Sequence, residues 1–385
     1  MKTESTRRHN RFSVLGQLLL DERLVDGALV VEGGRIVEVR EGDPGPAPDP
    51  QLRAAIVSPG LVDLQCNGGF GREVGGDPDA LRELARRLPA TGVTTFLPAL
   101  VSAGPDAYRA AAAAWAEACG DAGASMPGLH LEGPLLAPAR AGAHAAAAID
   151  EADTTLDAVL EPLLAAGAVR LVTLAPERPG ALARIGRLRA AGVTVSLGHT
   201  NATFAETVAG IDAGATLATH LYSAMSPFAH REPGAVGALL TDDRVTVTLI
   251  ADGVHAHAAA LKLALRAKGA QRIALVTDAV AAAGAPPGRY RLGGVEIVAD
   301  GSSARLPDGT LAGSTLTLDA AVRAMVRLAG ATPAQALRMA STVPADAIGL
   351  RDRGRIAAGQ RADLVLWSAE LAVQTTLIGG AAAYP

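Results

Sequence analysis

Hydrophobic and polar positions fall into two textures along the chain. Residues 28–39 read as β structure: Ala28-Leu-Val-Val-Glu32 and Arg35-Ile-Val-Glu-Val39 flank Gly33-Gly34, the spacing of a hairpin with a glycine turn. Residues 42–50 are a Pro/Gly-rich loop. From Pro59 the pattern changes to short apolar runs alternating with Ala/Leu/Arg-rich segments of helical period. The runs are Leu61–Gln65, Thr94–Leu100, Gly128–Glu132, Arg170–Ala175, Thr194–Gly198, Thr216–His220, Thr246–Ala251 and Ile273–Asp278. Helical segments between them include Asp79–Leu88, Ala205–Ala213 and Ala258–Lys268, and Leu318–Ala329 and Pro333–Ala340 follow the last run. Eight such units predict an α/β fold, a (β/α)8 TIM barrel. A doubly wound sheet is the alternative, but no G-x-G-x-x-G turn follows the first strand. β texture returns near Leu364–Trp367. The two chain ends are therefore expected to pair into a small β-sandwich domain, 1–58 plus 354–385, around a catalytic barrel of 59–353.

Composition narrows the function classes. Of 385 residues, 49% are hydrophobic and 19% charged, which predicts a large buried core and no extended disorder. A formal charge of −4 offers no global field for nucleic acid or an anionic membrane, so neither is an expected partner. The two cysteines, Cys66 and Cys119, form no disulfide framework and fit a reducing cytoplasm. The run Val14–Leu20 is short, interrupted by Gln17 and followed at once by Asp21, Glu22 and Arg23, so no signal peptide or membrane span is expected.

Candidate chemistry lies at the strand ends, where a barrel of this kind gathers its active site. Leu129-His-Leu-Glu132, Val195-Ser-Leu-Gly-His199, Leu217-Ala-Thr-His220, Ile250-Ala-Asp252-Gly-Val-His255 and Leu275-Val-Thr-Asp278 all end on or near titratable residues. A single such histidine is more often a hydrogen-bonded core residue, but five strands ending this way point to a site. Glu132, His199 and His220 form a set of two imidazoles and one carboxylate, three protein ligands with room for water, as at a catalytic metal. Zinc suits them first; iron, manganese and cobalt suit them also. Asp278 is placed to carry a proton between water and a leaving amine. Its alternative reading is a cap for a helix opening at Ala279. His130 alternates with Glu132 and should face the barrel interior as a packing residue.

Several motifs carry a family resemblance. Pro59-Gly-Leu-Val-Asp63, Asp26-Gly-Ala-Leu-Val-Val and Gly354-x-Ile-x-x-Gly359-x-x-Ala-Asp363-Leu-Val resemble the amidohydrolase superfamily. Gly128-Leu-His-Leu-Glu-Gly-Pro134, Gly198-His-Thr-Asn-Ala-Thr203, Thr219-His-Leu-Tyr, Arg231-Glu-Pro-Gly234, Ala251-Asp-Gly-Val-His255 and Val276-Thr-Asp278 resemble, in order, its N-acetylglucosamine-6-phosphate deacetylase family. The resemblance implies one divalent metal per subunit on Glu132, His199 and His220, with Asp278 as general acid and base. It implies that His144 bonds the acetyl carbonyl, beside Ala143, and that Arg231 and His255 meet a phosphate. Ser223, Ala224 and the turn Leu311-Ala312-Gly313 would contact the sugar. The implied activity is hydrolysis of the acetamide of an amino-sugar phosphate, by a homodimer that shares part of its phosphate site.

Two departures bear on that expectation. Ser223 stands where the family commonly has asparagine, which keeps a related amino sugar, such as N-acetylgalactosamine 6-phosphate or an unphosphorylated sugar, open as substrate. Gln65-Cys66-Asn67 stands where two-metal members carry His-x-His, so the two amides are expected to hydrogen-bond around one metal. A dinuclear amidohydrolase acting on a cyclic or amino-acid amide would need that motif and a bridging lysine. A catalytically dead sugar-phosphate binder would have lost a ligand or the acid/base, and all four residues are present.

Overall fold

The computed structural model describes residues 11–42, 51–150 and 152–385. Most of the Pro/Gly-rich loop expected over 42–50 lies outside these residues.

Eight parallel strands form one sheet in chain order: Leu61–Cys66, Val93–Leu100, Leu129–Glu132, Val169–Leu174, Thr194–Leu197, Leu217–Ala218, Thr246–Leu249 and Ile273–Leu275. The last closes on the first: Gln65 C=O accepts from Asp278 N–H at 2.9 Å, and Ala279 C=O accepts from Asn67 N–H at 2.8 Å. Side chains lock the seam as well. The buried Asp63 carboxylate accepts from Thr277 Oγ1 at 2.6 Å and from the N–H groups of Thr277 and Gln65, both at 3.2 Å. Burial pushes its carboxyl up to about 6 against the pull of those donors. Each predicted strand is present within a few residues, because both faces are buried and the sequence needs no alternation there.

Inward-facing Val62, Leu64, Leu97, Leu171, Leu217, Ile250 and Val276 fill the barrel, and Val343, Ile348 and Leu350 plug its lower end. A thicker layer, including Phe96, Leu129, Val172 and Leu249, lies between strands and helices. Local chemistry starts the helices where the periodicity does. Asp77 caps Pro78–Arg87, with proline in the first turn, and Thr203 with Glu206 forms a capping box on Phe204–Ala213. The helix expected over 318–329 is α-helical only to Ala324 and continues as a π-turn over Met325–Ala329.

Both chain ends meet in one sheet. Its order is Ala381–Tyr384, Val373–Ile378, Leu364–Trp367, Gln51–Pro59, Phe12–Leu20, Arg23–Glu32, Arg35–Glu41. All its pairs are antiparallel except that of Phe12–Leu20 with Gln51–Pro59. Gly33 and Gly34 turn the hairpin with φ of +60° and +80°, which only glycine adopts freely. Trp367, fully buried, donates its indole N–H to Ser58 Oγ at 2.9 Å and ties the two ends together.

One element was not foreseen. After the eighth strand the chain does not enter a helix at Ala279. It turns and builds a three-stranded antiparallel sheet, Gly288–Leu292, Val295–Ala299 and Ala304–Arg305, beside the mouth of the barrel. Asp278 is therefore no helix cap. Gly293-Gly294, with φ of +57° and +85°, repeats the signal of Gly33-Gly34.

Candidate active site

Five carboxylate and imidazole groups, Glu132, His144, His199, His220 and Asp278, converge at the C-terminal mouth of the barrel. His199 Nε2 lies 3.3 Å from Glu132 Oε1, His220 Nε2 lies 3.0 Å from the same oxygen, and the two Nε2 atoms are 3.1 Å apart. All three residues are buried. Among the described residues, eight non-glycine positions have left-handed backbone, and five of them, His199, His220, Tyr222, Ala224 and Asp278, surround this centre. Such strain persists where the fold holds a side chain in one working position.

Hydrogen bonds fix which nitrogens are available. His199 Nδ1 lies 2.8 Å from Arg140 C=O, which can only accept, so Nδ1 carries the proton and Nε2 a lone pair. Two imidazole nitrogens facing each other over a carboxylate oxygen are an arrangement that a cation between them satisfies. The donor set therefore fits a divalent metal, with imidazole and carboxylate as ligands. Glu132, His144 and His199 also lie close enough together to share an ion. His144 differs from the other two in tautomer. The Ser102 N–H donates to its Nδ1 at 3.0 Å, so the neutral ring carries its proton on Nε2, 3.7 Å from Glu132 Oε2. Burial holds the His144 pKa below its ordinary value, which keeps the ring neutral. His220 Nε2 lies beside the Glu132 carboxylate, and its Nδ1 has no hydrogen-bond partner among the described residues.

Gln65 and Asn67 serve carboxylates. Gln65 Nε2 donates to Glu132 Oε1 at 2.9 Å and to Asp278 Oδ1 at 3.1 Å, and Asn67 Nδ2 donates to the same Asp278 oxygen at 2.6 Å. Burial, then the nearby charge of Glu132, pushes the Asp278 carboxyl up to about 6. Glu132 is held well below its usual range: burial opposes this, and the three imidazoles around it outweigh burial.

The centre opens into a cavity of about 410 Å³, a size suited to a monosaccharide. Ala143, His144, Ser223, Ala224, His255, Leu311 and Gly313 line it, with Glu132, His199, His220, Asn67 and Asp278 at its floor. His255 Nδ1 is held by Asp252 Oδ2 at 2.6 Å.

A sequence profile of the amidohydrolase family matches residues 56–382. The chain belongs to the amidohydrolase family. It is 41% identical over 371 residues to the N-acetylgalactosamine-6-phosphate deacetylase of Escherichia coli O157:H7, covering 94% of this chain and 97% of that one. It is 35% identical over 374 residues to the N-acetylglucosamine-6-phosphate deacetylase of Bacillus subtilis (strain 168), covering 94% of each. A solved N-acetyl-D-glucosamine-6-phosphate deacetylase from Mycobacterium smegmatis, in complex with N-acetyl-D-glucosamine 6-phosphate, superposes with a TM-score of 0.89 at 38% identity. That match covers 97% of this chain and all of the other.

Three expected residues of this amidohydrolase do not line the cavity. Gln65 sits beneath it, behind the carboxylates it serves. Ala312 is buried against Val280, Leu292 and Ile297 and supports the turn from below. Arg231 is exposed on the loop ahead of Gly234. Two residues that the motifs did not single out enter the site. Arg140 lines the cavity while its Nε donates to Asn201 Oδ1 at 3.0 Å. Ser102 orients His144 through both its N–H and its hydroxyl, the latter at 2.8 Å. Ser102 lies just past the end of the second barrel strand, which carries no titratable residue there. His130 faces the interior as expected: Nδ1 lies 3.0 Å from Leu64 C=O and Nε2 lies 2.8 Å from Thr173 Oγ1, and burial brings its pKa down to about 4.

Proposed function

We propose that this amidohydrolase hydrolyses the acetamide of N-acetylglucosamine 6-phosphate to glucosamine 6-phosphate and acetate. The observation that carries the reading is the facing pair of His199 and His220 Nε2 atoms on Glu132, with Asp278 and its two amide donors alongside. The names borne by its relatives supply the substrate class. A single divalent cation, zinc by ligand preference, would be held by Glu132, His199 and His220 and would supply Lewis acidity toward water and the acetyl carbonyl. Asp278, positioned by Gln65 and Asn67, takes a proton from the attacking water and delivers it to the departing nitrogen. His144, with its proton fixed on Nε2 by Ser102, donates to the oxyanion that develops on the acetyl oxygen. Arg140 and His255 meet the sugar phosphate, and Ser223, Ala224, Leu311 and Gly313 shape the sugar pocket. Arg231, exposed as it is, reaches a phosphate across the interface of a homodimer. A cytoplasmic place in amino-sugar catabolism follows from that substrate, and no helix among the described residues is long and apolar enough to cross a membrane.

N-acetylgalactosamine 6-phosphate is the second reading, favoured by Ser223 and by the 41% identity to a deacetylase of that sugar. Acetate release from the two 6-phosphates and the two free N-acetylated sugars tests both. Turnover of the glucosamine derivative well above the other three supports the first reading. A clear preference for the galactosamine derivative replaces it, and preference for a free sugar removes the phosphate from the proposal.

A further inference from the structure

A larger cavity lies at the opposite end of the barrel from the chemistry. It has a volume of about 760 Å³ and shares no lining residue with the catalytic one. Its walls come from the stretch before the third strand, the start of the fourth, and the edge of the terminal sheet at Ala381–Ala383. Four arginines line it: Arg86, Arg170, Arg353 and Arg361.

Their partners are unevenly shared. Arg353 is bound to Asp352 at 3.0 Å and lies 3.9 Å from Asp363, and Arg361 is bound to Asp363 at 3.1 Å. Asp121, the one carboxylate in the lining, faces away to Arg82 at 2.7 Å. Among the described residues, the Arg86 side chain bonds only a carbonyl, that of Arg82, at 3.2 Å. Arg170 has no hydrogen bond or ion pair among the described residues, and its Nε is buried without a partner. A Cβ on Gly128 would lie 2.9 Å from Arg170 Cβ, so the glycine leaves room for the base of this side chain. Arg170 is half-buried with its Nε shielded from water and unpartnered, and Arg86 is exposed at the rim with no carboxylate partner among the described residues, so an anion in the concavity would satisfy both guanidinium groups.

We propose that this cavity is a second, non-catalytic binding site for a phosphate monoester. A phosphate monoester carries about −1.5 to −2 charge at neutral pH, matching the two unpaired arginines, and its oxygens suit guanidinium forks. Pro89, Met126, Leu350 and Ile378 offer an apolar wall to the organic part. A cavity of this volume takes a metabolite. The occupied site joins the barrel floor to the terminal sheet.

Cys119, exposed and in the lining, is a local reporter that active-site binding does not touch. The experiment alkylates the full-length, metal-loaded protein with iodoacetamide and follows Cys119 by mass spectrometry, with inorganic phosphate, glucose 6-phosphate or AMP as probes. The two organic probes distinguish a sugar phosphate from a nucleotide as the source. The expected result is at least five-fold slower Cys119 labelling with phosphate or one of the esters. That protection is lost in R86A/R170A, while kcat and KM for deacetylation stay within two-fold of the parent. Ala382→Glu, on the exposed edge strand, places a carboxylate at the cavity wall without removing an arginine and should also abolish protection; it decides the matter if the double variant does not fold. Labelling that no probe slows, or protection that survives in the folded variants, overturns the proposal.

Discussion

His144 and His220 are both buried histidines against Glu132, and the proposed mechanism gives them different work. The prediction is a split between metal content and turnover. His144→Ala removes an Nε2–H donor that ligates nothing, so the purified variant keeps its metal. Loss of one oxyanion donor typically costs about 10²–10³ in kcat, or about 2.7–4 kcal/mol. His220→Ala removes one of three acceptors and should lose metal as well as rate. The structure also grades Ser102. Ser102→Ala deletes the hydroxyl contact at 2.8 Å but leaves the backbone N–H donating to Nδ1 at 3.0 Å, so the tautomer stays fixed. One hydrogen bond of about 1 kcal/mol is then at stake, roughly a five-fold loss. The assay pairs elemental analysis with initial rates of acetate release for the three variants. Metal loss in His144→Ala equal to that in His220→Ala would make His144 a ligand. A Ser102→Ala effect as large as that of His144→Ala would mean that the hydroxyl, not the backbone, sets the ring.

Asp278→Asn should retain metal and fold and lose about 10²–10⁴ in turnover, the usual worth of general acid–base catalysis; a rate within a few-fold of the parent moves the proton transfer elsewhere. Arg231→Ala should penalise the phosphorylated substrate far more than the free sugar, and an equal loss on both would make the residue structural. Ser58→Ala strands the buried Trp367 indole N–H and should cost about 1–3 kcal/mol in urea unfolding; an unchanged midpoint would show that another acceptor takes over. Asp63, with its folded pKa raised to about 6, contributes stability that is fully present below the ordinary aspartate value near 3.8 and lost as pH rises through about 6. Asp63→Asn cannot titrate, so the stability difference between parent and variant should change across that window, and a flat difference would refute the raised value.

The barrel was legible because its strands are apolar throughout and its helices carry caps, so texture alone placed all eight strands. The floor of the site was legible by the same logic, since Glu132, His199, His220 and Asp278 all terminate strands. What lay beyond strand ends was harder. Arg140 and Ser102 act through loops whose course no periodicity encodes, and Arg140 reads in sequence like any surface arginine. The 288–305 sheet did carry a visible sign, Gly293-Gly294 between alternating residues, yet it lies between the eighth strand and the helix at Leu318, where the barrel pattern calls for no further strand. His144 was reachable only through the family resemblance, because nothing local marks its loop as buried.

The pairing of Gln51–Pro59 with Leu364–Trp367 has a consequence for synthesis. The first strands leave the ribosome with one ladder edge bare. Roughly 300 residues must follow before the strand that covers it appears, about 15–60 s at 5–20 residues per second. Through that interval the edge is open to pairing with any other nascent or unfolded chain. The barrel can collapse as it emerges, but the terminal sheet is finished last. Yield in a heterologous host should thus depend on what shields that edge during translation more than on the final stability of the protein.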